Sequence, residues 1–201
     1  IILTLALVLS PGGLASANLV PVTGALNDTA SPASSNVAAL APFVASVATS
    51  GNPDLAAGIF AKGLFAAPIV QQPSSKPGFV STEPEKATQF GMAAQYGTTA
   101  LLAHNYLLGQ EFFDVQAGDV LSLVYGDGHV KNFKVSEVLQ FQALSPKSPY
   151  SDFIDLNDPA SSRISVTNLF YRVYNQADKL VLQTCIEANG EPSWGRLFIV
   201  A

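Results

Sequence analysis

The stretch "DVLSLVYGDGHVKNFKVSEVLQF" at residues 119–141 constrains the fold more than any other. Its two arms alternate apolar and polar residues, the period of a strand with one face buried. Between them stand Gly126, Asp127 and Gly128, the residue types that supply the positive φ of a tight hairpin turn. A chain carrying this hairpin is committed to antiparallel pairing, and its other segments must complete a sheet around it.

Those segments read as short strands with little helix between them. "DLAAGIFAKGLFAAPIVQQP" at 54–73 predicts two strands, its apolar runs cut by Gly and Pro. "TEPEKATQFGMAAQYG" at 82–97 predicts a helical turn or two, with Pro84 near its start and Gly97 after its end. "TTALLAH" at 98–104 predicts a buried strand ending at His104. "DPASSRISVTNLFYRVYN" at 158–175 predicts a helix opened by Asp158 and Pro159, with Leu169, Phe170 and Val173 at helical spacing. "KLVLQTC" and "GRLFIVA" close the chain as strands. The sum is a mainly β fold, a small barrel or a sandwich.

Charge is unevenly spread. Only 12% of residues are charged, against about a quarter in an ordinary domain, and residues 1–80 hold just Asp28, Asp54, Lys62 and Lys76. That shift predicts a folded domain at 54–201 preceded by a low-complexity linker at 18–53, with a short helix around 37–47. Residues 1–17 read as a signal-peptide-like segment: the apolar "IILTLALVL", then the breaker "SPGG", then "ASA" before a cleavage point. The segment carries no starting Met, and a membrane anchor upstream of it is the alternative to cleavage. A net charge of −5 and no basic patch exclude a nucleic-acid partner.

Chemistry concentrates in "LVLQTCIEANGEPSWGRLF" at 180–198, which holds the single cysteine, Cys185. An exported chain uses cysteines in pairs, so a lone one is either a buried small hydrophobe or a working thiol. A working thiol needs a base or cation beside it, because the thiolate is the reactive form. The candidates are His104, at the end of a predicted strand, and His129, at the hairpin tip where a solvated residue is the default. Arg196 interrupts an otherwise apolar strand and must meet a carboxylate, water or a ligand, since burying it alone is costly. Glu187 and Glu191 are the nearest salt-bridge partners in sequence. A turn across "IEANGEPSWG" brings Arg196 back toward Cys185.

"LLAHNYLLGQEFFDVQAGDVLSLVYGDGHVKNFKV", then "LVLQTC", then "WGRLFIV", resembles the sortases, bacterial cell-surface cysteine transpeptidases. The resemblance covers about residues 54–201 and rests on the order His, Cys, Arg. It implies a mainly β, closed eight-stranded sortase-type β-barrel with a few short helices, and His104, Cys185 and Arg196 as catalytic residues at one mouth. It implies that Thr184, in the place of the second Thr of the family's TLxTC motif, shapes the site, with Ala103 and Asn105 beside the substrate. Two positions depart from the pattern: Ala103 stands where the family usually has Gly, and Val181 where TLxTC begins with Thr.

The implied partners are a sorting-signal peptide of another exported protein and an amine acceptor of cell-wall or pilin type, met outside the cell or at the outer face of a bacterial envelope. No cofactor is implied. Asp152, Asp155 and Asp158 read as a solvated loop rather than a calcium site, and Pro149, Tyr150 and Phe153 as substrate contacts between hairpin and cysteine strand. At reference pKa values of ~8.5 and ~6.5, a thiolate–imidazolium pair is only about 1% of the neutral pair. A non-catalytic peptide-binding module and a thiol peptidase releasing its product to water are the rival functions.

Overall fold

The computed structural model describes residues 39–158, 160 and 163–201. The expected signal segment and most of the expected linker lie outside the described residues. Within the described part, α1 (Leu40–Val47) forms where a short helix was expected and packs Phe43 against Phe60 and Val124. No helix among the described residues is long and apolar enough to cross a membrane.

Among the described residues, ten strands make one mixed sheet: β1 (Ala56–Ala61), β2 (Phe65–Gln71), β3 (Ala87–Gln89), β4 (Thr99–Leu102), β5 (Val120–Tyr125), β6 (Val130–Lys134), β7 (Glu137–Ala143), β8 (Phe153–Asp155), β9 (Leu180–Ala188) and β10 (Glu191–Val200). Their order is β6-β5-β1-β2-β3-β4-β9-β10-β7-β8. The fold is therefore mainly β, as expected, but it is not an eight-stranded barrel closed by hydrogen bonds. The edge strands β6 and β8 do not pair with each other.

The difference has a local cause. The second arm of the 119–141 stretch is two strands, not one. Up to Lys134 it pairs back on β5, but Ser136 donates its backbone N–H to Val200 O, and β7 runs on against β10. One arm thus serves both sides of the sheet, and β6 is left as an edge. Lys131 and Lys134 on it are exposed, the kind of charged side chain that blunts an edge strand.

Two other expectations shift. The predicted helix at 82–97 shrinks to α2 (Gly91–Ala94), because residues 87–89 pair in parallel with β2 and the sheet outweighs helical preference. The predicted helix at 158–175 begins later, as α3 (Val166–Tyr174), capped not by Asp158 but by Ser165, whose hydroxyl accepts from Asn168 N–H.

The central strands β4, β9 and β10 are buried on both faces, which is why they read as near-continuous apolar runs. One face looks onto a core built with Ile59, Leu101, Leu121, Leu182 and Leu197. The other looks onto Phe90, Phe141, Phe198 and the α3 side chains Leu169, Phe170, Val173 and Tyr174. Thr98 ties down the end of α3 by donating its hydroxyl to the Tyr174 and Gln176 carbonyls.

Candidate active site

The parallel pairing of β4 with β9 matches Thr99 to Leu180 and Leu102 to Gln183. Ala103 continues it by donating its N–H to Gln183 O. Continued two residues past Leu102, this register puts His104 level with Cys185. On the other side β10 is antiparallel to β9, with Arg196 directly opposite Cys185. Cys185 and Arg196 thus lie directly opposite on neighbouring strands spaced by about 4.8 Å, and His104 follows on the other side of β9, two residues past the end of β4.

They also share a face. Leu102, Cys185 and Phe198 belong to the α3-side core while Ala103, Leu182 and Leu197 belong to the other. Strand alternation then puts His104, Cys185 and Arg196 on the α3 side. Arg196 lies there without Glu187 or Glu191. Its Nη1 donates to the carbonyls of Ser193 and Gly195, at 2.9 and 2.8 Å.

The row is buried, with His104 5%, Cys185 1% and Arg196 2% exposed. Burial pushes the Cys185 thiol up, against the pull of Arg196 and a hydrogen bond from Ser193; Glu191 adds to the rise. Burial holds the His104 imidazole below its ordinary value, offset in part by a hydrogen bond to the Val80 backbone. Both displacements favour the neutral thiol–imidazole pair. Tyr174, packed in the same core, is also pushed up by burial while Arg196 opposes the shift; its hydroxyl bonds Gln183 Oε1.

Two polar atoms in this row, His104 Nδ1 and Arg196 Nε, are buried with no hydrogen-bond partner among the described residues. Native interiors leave few such atoms. The Tyr106 ring lies over His104 with centroids 5.0 Å apart and is 42% exposed, so it separates the imidazole from solvent.

The turn after β4 fixes the histidine backbone. His104 O accepts from the amides of Leu107 and Gly109, each at 3.0 Å, leading into a 3₁₀ helix at Leu108–Asp114. Gly109 is required there, since a Cβ would run into Thr184 Oγ1 and the His104 carbonyl. Thr184 therefore sits on the face of β9 opposite Cys185, behind the row. Ala103 is buried on that same rear face. Asn105 is half-buried and donates its amide to Pro192 O at 3.2 Å, joining the end of β4 to β10.

Ser193 was not singled out from the sequence. It is 3% exposed and sits where β10 bulges, between the pairs Glu191–Ala188 and Gly195–Ile186. His129 stays outside the row, stacked on Tyr125 at 4.1 Å and bonded to Asp127 on the hairpin. Asp155 pairs with Arg172 at 2.9 Å and Asp152 with Arg163, and no group among the described residues is arranged to hold a metal ion. Of the expected peptide contacts, Tyr150 is 60% exposed while Phe153 is buried in the core.

No family model matches this chain, and no curated protein matches it. Among solved structures the chain is similar to sortases. Sortase A of Listeria monocytogenes is 13% identical, with 73% of this chain and 84% of that chain covered, at a TM-score of 0.43. Sortase A from Corynebacterium diphtheriae is 13% identical over 74% of this chain and 60% of its own, at 0.47. Sortase C of Streptococcus pneumoniae, described for its pilin substrate specificity, is 16% identical over 72% and 66%, at 0.47. The likeness concerns the fold alone.

Proposed function

We propose that this chain is a sortase-like cysteine transpeptidase. The observation that carries this reading is the row itself: the single cysteine directly opposite a buried arginine on the next strand, with a buried histidine two residues past the end of the strand on its other side. A guanidinium 2% exposed, with backbone carbonyls as its hydrogen-bond partners among the described residues, is costly unless it serves a charge. A thiolate formed beside it during the reaction supplies that charge, and the oxyanion of an attacked carbonyl is its successor.

The reaction balances with these three groups. The Cys185 sulfur bonds to a peptide carbonyl carbon, Arg196 donates to the oxyanion, and the imidazolium of His104 gives its proton to the departing amine as the C–N bond breaks. An incoming amine then attacks the thioester, neutral His104 takes its proton, a new C–N bond forms and Cys185 leaves. The substrates in this reading are a sorting-signal peptide of another exported protein and an amine acceptor of cell-wall or pilin type. They meet the enzyme outside the cell or at the outer face of a bacterial envelope. Thr184 supports the site from behind through the Gly109 turn, Ala103 backs the same strand end, and Asn105 joins that end to β10 beside the bound peptide.

A second reading, a non-catalytic sortase-like module that binds peptide or protein, is favoured by one observation: Cys185 is buried and its thiol is pushed up. Alkylation separates the two. The rate at Cys185 is measured across pH in the wild-type chain and in His104→Ala. Modification faster than a free thiol, slowed by the substitution, supports the enzyme. A thiol that resists until the protein unfolds supports the module. Peptide cleavage that proceeds equally with and without an added amine would make the enzyme a peptidase.

A further inference from the structure

Ser193 occupies a position in the bulge that touches both polar partners of the thiol. Its carbonyl accepts from Arg196 Nη1 at 2.9 Å, its N–H donates to Glu191 Oε1 at 3.1 Å, and its side chain is hydrogen-bonded to Cys185. In a regular strand, a residue three before Arg196 would face away from it. The bulge turns Ser193 back toward Cys185, the re-aiming that bulges beside functional sites perform.

We infer that Ser193 is a positioning residue for Cys185, its hydroxyl donating to the sulfur and easing formation of the thiolate on the Arg196 side of the row. The inference rests on Cys185 being the working thiol proposed above. A hydroxyl donor stabilises a thiolate without carrying further charge into the core. The other groups bearing on the sulfur are Arg196, which favours the thiolate, and Glu191, which opposes it. Tyr174 packs in the same core cluster from α3 and is neutral.

The test is the pH profile of Cys185 alkylation by iodoacetamide in the full chain, with Ser193→Ala and Ser193→Thr. Alanine removes only the hydroxyl and keeps the backbone bonds to Glu191 and Arg196, so the fold is spared. The expected result is a profile displaced to higher pH, with a rate about tenfold lower near neutrality and the same plateau at high pH. Threonine, restoring a hydroxyl, recovers the wild-type profile. An alanine profile that superimposes on the wild type, while His104→Ala still slows modification, overturns the role of Ser193 and leaves the enzyme reading standing. A wild-type thiol that resists alkylation until unfolding overturns both.

Discussion

Thr184→Val tests whether the hydroxyl behind the His104–Cys185–Arg196 row is a cost to the fold. Thr184 is 1% exposed, and its Oγ1 has no hydrogen-bond partner among the described residues while it abuts Gly109. A hydroxyl buried without a partner costs about 1–3 kcal/mol relative to water. Valine has the same branched shape, suits the strand equally and carries no polar atom. The substitution therefore stabilises the folded chain by about 1 kcal/mol, which for a chain of this size raises Tm by about 2–4 °C. Thermal unfolding followed by circular dichroism at neutral pH reads this directly. Because Thr184 faces away from Cys185, alkylation of the thiol stays at its wild-type rate. A valine variant that melts lower than wild type would refute the reasoning, since it would mean the hydroxyl has a partner whose loss outweighs its burial.

Three other outcomes follow from the same geometry. Gly109→Ala forces a Cβ against the His104 carbonyl, a backbone atom that cannot rotate away, and destabilises by about 1–3 kcal/mol while slowing Cys185 alkylation, as thermal melts and iodoacetamide rates will show. Arg196→Met removes the cation that favours the thiolate; alkylation near neutral pH slows at least about tenfold, and a rate that stays constant would remove Arg196 from the electrostatics of the thiol. His104, whose folded pKa lies below its unfolded value of ~6.5, contributes stability that is present at pH above that value and lost as pH falls through the folded pKa. The drop in Tm between pH 7 and pH 5 (about 2 units, spanning that reference value) is accordingly smaller in His104→Gln than in wild type, and an unchanged drop would count against burial of the imidazole.

Much of the candidate site was legible because it depends on short-range text. Strand period and a strand-end histidine place His104, and the thiol and cation on two closing strands place Cys185 and Arg196. The fold was legible to the level of mainly β with short helices, and no further. Whether the run after Gly128 stays on β5 or leaves for β10 is decided by Ser136 and Val200, 64 residues apart, and no local pattern encodes that choice. The helix start slipped for a different reason. Asp158 and Pro159 form a good opening signal, but residues 163–165 extend first, with Ile164 bridging Phe153, and leave the cap to Ser165.

Ser193 was hidden by a more interesting device. The turn between β9 and β10 is tight, with Asn189 and Gly190 both at positive φ, 54° and 75°, and it pairs Glu191 with Ala188. Carried on without interruption, that register would set Trp194 opposite Cys185. The bulge inserts two residues into β10, and beyond it Gly195 meets Ile186 and Arg196 meets Cys185. A single irregularity thus chooses the cation over the indole as the neighbour of the thiol and turns the Ser193 hydroxyl toward the same sulfur. Sequence alternation alone would put Ser193 on the far face, so the residue that period-based reading dismisses is the one the bulge brings in.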